Sequence, residues 1–267
     1  MNRFSLNTFN ESPWVGGSAD LGGWIDAAAS AGFGLIGPDC PSIDAWLAGG
    51  GTLPALARRM RDAGIGCEVV AVCALIDGSE AQLAGLQRAV TFAGALGARM
   101  LQVNVAAPDA PARLDAVAKA ASLLDDTGLK LALEYMPFTS LSTLAETLEI
   151  VAVLGTARAG ALVDIWHHAN DPGGWEALAA APLDAIAYVE FDDAKAPGQG
   201  VDLADETMHH RTFPGEGVLD CARFAGALRA RGYAGMVSIE VLDRAWRGRP
   251  AGEFARACHA ASAPYWA

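Results

Sequence analysis

Short apolar runs alternate with longer stretches of helical periodicity along almost the whole chain. The runs are RFSLNTF (3–9), FGLIG (33–37), CEVVAV (67–72), RMLQVNV (99–105), KLALEYM (130–136), ALVDI (161–165), IAYVEF (186–191) and MVSIEVL (236–242). Most are apolar at consecutive positions, which is the signature of strands buried on both faces. Between them, TLPALARRMRDAG (52–64), EAQLAGLQRAVTFAGALG (80–97) and ARLDAVAKAASLLDDTG (112–128) carry the spacing of amphipathic helices. Gly64, Gly97, Gly128 and Gly232 follow helical runs and precede strands, where a left-handed C-cap belongs. Covered strands alternating with helices of about three to four turns predict a parallel sheet. Eight such units fit a closed (β/α)8 TIM barrel better than an open sheet of about five or six strands. The expectation is therefore an α/β chain forming a single domain over 1–267, with its first and eighth strands paired. The end, RACHAASAPYWA (256–267), predicts a helix whose aromatic tail covers the chain's own helices or meets a second copy.

Composition narrows the function classes. Of 267 residues, 52% are hydrophobic, enough for a large core. The 31 Asp+Glu against 19 Lys+Arg give a net charge of −12, which disfavours nucleic acid and anionic membrane as partners. Part of that excess is available to a cation. The five cysteines show no CxxC spacing and an odd count, so they read as buried small hydrophobes. No long uncharged apolar run is present, and MNRFSLNTFN lacks the apolar core of a signal peptide, so a cytoplasmic protein is expected. The glycine-rich stretches AGFGLIG and LAGGGT match neither the GxGxxG nor the GxxxxGK[ST] order, which argues against a dinucleotide or triphosphate cradle.

Four consecutive strands interrupt their apolar pattern with one acid near the C-terminal end: Glu134 in LALEYMP, Asp164 in ALVDIW, Glu190 in AYVEFDD and Glu240 in VSIEVL. A single such acid is commonly satisfied by an arginine or a backbone amide. Four directed into one barrel mouth would repel one another, and too few basic residues lie beside them in sequence to neutralise them all. One divalent cation resolves the conflict. An oxygen-rich donor set favours Mg2+ or Mn2+, with Co2+ and Zn2+ as further choices. Four ionised carboxylates would still exceed the charge of the ion, so one of them is either protonated or a base instead of a ligand.

Histidines cluster after the sixth and seventh strands. His167 and His168 follow Asp164 by three and four positions, and ETMHHRTFPGEG (206–217) holds His209, His210 and Arg211 ahead of a Pro214–Gly217 turn. An imidazole beside a metal carboxylate can hold or protonate a substrate oxygen; the plainer alternative for His167 and His168 is a surface loop. About 26 residues join Phe191 to the helix expected near Val218, long enough for a lid, with the GQG (198–200) and PGEG (214–217) turns to pin it. A simple linker is the alternative.

The succession Glu134, Asp164-x-x-His167, Glu190, PGEG (214–217) and Glu240 resembles the xylose isomerase-like TIM barrels, which include sugar-phosphate isomerases and epimerases, inosose dehydratases and 3-dehydroshikimate dehydratases. The resemblance spans essentially the whole chain and is most specific in its second half. It implies one divalent ion held by Glu134, Asp164, Glu190 and Glu240, and a substrate contact from His167. The HxR…FPGEG run, with His209, Arg211, Phe213, Pro214, Gly215 and Gly217, is most similar to the dehydroshikimate dehydratase branch. One position departs: the seventh-strand residue is usually His or Gln in these families, and here it is Glu190.

The resemblance implies a lyase or isomerase acting on a small polyhydroxylated ketone through an enolate. Glu134 or Glu240 would remove the α-proton, and His167 or His209 would assist loss of a β-hydroxyl. Trp166, Phe213, Phe9, Trp14 and Phe138 would set selectivity, with Arg211 binding substrate. A barrel without catalysis, serving as a binding or partner subunit, is the competing class, and self-association is left open. A nuclease is disfavoured by the negative charge and by having only five histidines.

Overall fold

The computed structural model describes residues 3–18, 20–198 and 202–267. The chain packs as two compact units, one from Met1–Cys67 with Glu190–Ala267 and one from Glu68–Val189. Gln199 and Gly200 of the GQG turn lie outside the described residues.

In the first unit, β1 (Arg3–Asn7) lies between β2 (Leu35–Gly37) and a later strand of Met236–Ile239, both parallel to it. The register Arg3↔Met236 to Leu6↔Ile239 is the first-to-eighth strand pairing that the alternation requires. Helices α1 (Leu21–Ala31), α2 (Cys40–Ala48) and α3 (Leu53–Asp62) start on side-chain caps from Asp20, Asp39 and Thr52.

The second unit holds β3 (Val69–Ile76), α4 (Glu80–Leu96), β4 (Met100–Val105), α5 (Ala110–Ser122), β5 (Lys130–Glu134), α6 (Leu144–Leu154), β6 (Ala159–Asp164), α7 (Ile165–Ala169), α8 (Gly174–Ala180) and β7 (Ile186–Glu190), whose last residue counts to the first unit. Strand order is β3-β4-β5-β6-β7. Leu101, Val103, Leu131, Leu133, Leu162 and Val163 are fully buried. Each removes about 1.5–3 kcal/mol of apolar exposure from water, which is why unbroken apolar runs became these strands. The third strand begins and ends later than its run, and its register slips between Ala71 and Leu75, where Cys73 takes a positive φ of 56°.

The remainder of the first unit is the segment after β7: β8 (Asp193–Ala194) pairs antiparallel with β9 (Arg211–Thr212), α9 (Leu203–His209) lies between them in sequence, and α10 (Cys221–Ala230), β10 (Met236–Ile239) and α11 (Ala251–Trp266) follow. The long connection expected after Phe191 is thus partly structured. The aromatic tail of α11 packs on its own chain, with Trp266 5.4 Å and Tyr265 5.4 Å from the Phe191 ring. His259 packs edge-on to Phe4 and Phe33. Among the described residues no disulfide joins any two of the cysteines. Among the described residues no helix is long and apolar enough to cross a membrane.

Candidate metal centre

The second unit gathers three of the expected residues. Glu134 ends β5, Asp164 ends β6, and His167 lies in α7; one ligand atom from each lies within 4.8 Å of the others. Glu134 and Asp164 are 8% and 0% exposed. Glu134 Oε2 accepts hydrogen bonds from Gln102 Nε2 at 2.7 Å and Asn104 Nδ2 at 2.8 Å, while Oε1 stands 3.4 Å from His167 Nε2. Among the described residues it has no lysine or arginine partner. A buried carboxylate met by neutral amides and an imidazole, with a second acid at hand, is a setting that a cation stabilises. The donor set therefore fits a divalent ion.

Asp164 is also the N-cap of α7, its Oδ1 accepting the backbone N–H of Trp166 at 2.6 Å and His167 at 3.0 Å. The cap begins a helical turn directly at the strand end and brings His167 back beside Glu134. Both histidines are buried, so the surface-loop alternative is replaced by a short helix. His168 packs against Trp175 with ring centroids 4.5 Å apart. His167 Nδ1 is buried and has no hydrogen-bond partner among the described residues. Trp166 braces the His167 ring edge-on at 5.2 Å, and Phe138, 39% exposed, lies 6.1 Å from it on the solvent side. Tyr135 is fully buried; burial pushes its phenol well above the usual range, and the charges of Asp171, Asp164 and Glu134 add to this.

The first unit gathers the other two acids. Glu190 ends β7 and Glu240 directly follows β10; Asn7 Nδ2 donates to Oε1 of both, at 3.0 Å and 2.8 Å. His209 ends α9 with Nε2 3.7 Å from Asp205 Oδ1. Burial first, then Arg247 and Arg244, lowers its pKa, with Asp205 opposing.

Two expected substrate contacts are placed differently. Arg211 is fully buried, its guanidinium paired with Asp192 Oδ2 and donating to Thr207 Oγ1 at 2.6 Å and Thr207 O at 3.2 Å. Phe213 is buried against Trp246 and Phe254, at 5.0 and 5.8 Å. The PGEG turn is held by Asp193, whose carboxylate accepts the N–H groups of Gly215, Gly217 and Leu219 at 2.8–3.0 Å. Sequence reading passed over Asn7, Gln102, Asn104, Asp192 and Asp193. Gln102 and Asn104 had a signal, since two polar residues at alternate positions of an apolar strand share one face.

An α/β chain of strand–helix units with acids at or directly after strand ends defines a parallel α/β class with a candidate metal site. The model of the xylose isomerase-like TIM barrel family matches residues 25–260, and the chain belongs to that family, a (β/α)8 fold. The 3-dehydroshikimate dehydratase of Pseudomonas aeruginosa is 29% identical over 147 residues, 51% of this chain and 23% of that protein. The inosose isomerase of Halalkalibacterium halodurans is 29% identical over 117 residues, 43% of this chain and 40% of that protein. The matches thus span less than half of these relatives. Among solved structures, the IolI protein with a bound zinc atom has a TM-score of 0.86 at 17% identity, covering 99% of this chain and 98% of that one. L-ribulose 3-epimerase has a TM-score of 0.74 at 19% identity, covering 100% and 95%. At such identities the structural likeness shows the fold alone.

Proposed function

We propose that the chain is a divalent-metal-dependent lyase that dehydrates a polyhydroxylated cyclic ketone of dehydroshikimate- or inosose-like chemistry, with one ion held by Glu134, Asp164, Glu190 and Glu240. The observation that carries this reading is the buried Glu134–Asp164–His167 cluster at the ends of β5 and β6. Of the other two acids, Glu190 ends β7 and Glu240 directly follows β10. Mn2+ or Mg2+ suits the oxygen donors best, with Co2+ or Zn2+ as alternatives.

A bound divalent ion polarises the substrate carbonyl and acidifies its α-hydrogen. A carboxylate, Glu134 or Glu240, takes that α-proton, and the C–H electron pair becomes the enolate. His167, with His209 at the end of α9 as the alternative donor, delivers a proton to the β-hydroxyl; the C–O bond breaks and water leaves as the enolate pair forms the new C=C bond. Phe138 offers an apolar face to the ring, and Trp166 fixes the imidazole. The closest competing outcome is isomerisation or epimerisation, which shares the first step and differs in protonating the neighbouring carbon; the inosose isomerase relative favours keeping it.

The test is incubation of metal-loaded protein with 3-dehydroshikimate, inososes, 3-ketoglycosides and ketohexoses in deuterated water. Loss of water from one of them, after allowance for exchange, supports dehydration; exchange without that loss supports isomerisation. No exchange with any substrate while metal is bound removes enolisation and leaves the binding-subunit class.

A further inference from the structure

Asn7 is the last residue of β1, and its carboxamide stands between two acids. Oδ1 accepts the Phe9 N–H at 3.0 Å, which fixes the way the amide faces. The Nδ2 group therefore points to the opposite side, where its two hydrogens are shared between Glu190 Oε1 at 3.0 Å and Glu240 Oε1 at 2.8 Å. Ser238 Oγ donates to the same Glu190 oxygen at 3.3 Å. All four side chains are buried. Two carboxylates that share one amide nitrogen are close enough to repel strongly in a poorly screened interior. An amide reduces that repulsion through two N–H bonds without adding charge. A lysine there would neutralise an acid and compete with a cation, and an aspartate would bring a third negative charge.

We propose that Asn7 is a positioning residue for the metal centre: it fixes Glu190 and Glu240 as a pair by holding Oε1 of each, and so makes an acid usable at the seventh strand. The inference rests on the metal reading above. It also accounts for Glu190, whose charge exceeds that of the His or Gln expected there, because Asn7 and Ser238 both donate to it.

The test is a double-mutant cycle of Asn7→Ala and Glu190→Gln, read by Mn2+ titration calorimetry and by thermal unfolding of the metal-free proteins. Asn7→Ala should weaken Mn2+ binding by about 10–100-fold, the usual range for partners that orient metal ligands. The double variant should lose less than the product of the single losses, by about threefold or more. In the metal-free proteins, the fall in Tm caused by Asn7→Ala should shrink when Glu190 is already Gln. Unchanged Mn2+ affinity in Asn7→Ala, or losses that simply multiply, would overturn the proposal. If Asn7→Ala does not fold, Asn7→Ser replaces it, with an intermediate loss expected and wild-type affinity as the contrary result. A wild-type chain that binds no Mn2+ defeats the metal reading, whereas the metal-free Tm cycle still judges the link between Asn7 and Glu190.

Discussion

Replacing Arg211 with Ala separates an internal support from a substrate contact. The guanidinium and the Asp192 carboxylate are 0% and 1% exposed, so solvent does not screen their pairing. Removing the arginine leaves Asp192 without this counter-charge and frees the acceptors on Thr207. Breaking a buried pair from one side costs about 3–5 kcal/mol, whereas replacing both partners with apolar residues of similar size is often near neutral. For a chain of this size the loss corresponds to a fall in Tm on the order of 10 °C. Arg211→Ala is therefore expected to show that fall in calorimetry, and Arg211→Met combined with Asp192→Leu to recover most of it. A Tm within about 2 °C of wild type for Arg211→Ala would refute the reasoning, because a removed partner of a buried pair must cost more than that.

His167→Ala should reduce turnover by about 10²–10⁴-fold, the range for a general acid or base, while the circular dichroism spectrum stays native; a wild-type rate removes His167 from the chemistry. Gly217→Ala drives a methyl group into the Ala194 carbonyl and the Asp193 carboxylate, so a loss of about 1–3 kcal/mol is expected in urea unfolding, and an unchanged midpoint would contradict the role given to that turn. Burial, with Asp193 adding to it, pushes the Cys221 thiol from about 9.0 up to about 12. The folded state thus holds this proton more tightly than the unfolded chain does. Its contribution is fully present below about pH 9 and is lost as pH rises toward 12; slow alkylation at pH 8 and faster alkylation in urea would bear this out.

The eight strands were legible because parallel strands covered on both faces need consecutive apolar residues, and the chain supplies them. The strand-end acids were legible for the complementary reason: a charge has no place in such a run unless something meets it. Helix α7 was not, since five residues from Ile165 to Ala169 are too few to show a 3.6-residue period. Its cap makes Asp164 serve the backbone as well as the cluster, and this dual use is invisible in spacing. The buried placement of Arg211 was hidden because its partner Asp192 lies 19 positions away on the other side of α9, a tertiary pairing without a local pattern. Asn7 was hidden likewise: its two acid partners lie 183 and 233 positions along the chain.

The central claim is that buried acids at strand ends hold one divalent ion, and the most direct measurement is Mn2+ binding stoichiometry by calorimetry with elemental analysis of the dialysed protein. About one ion per chain is predicted for wild type, with Asp164→Asn combined with Glu134→Gln losing it while remaining folded. Absence of bound metal from the wild type after saturation, or an unchanged stoichiometry in the double variant, would contradict the account.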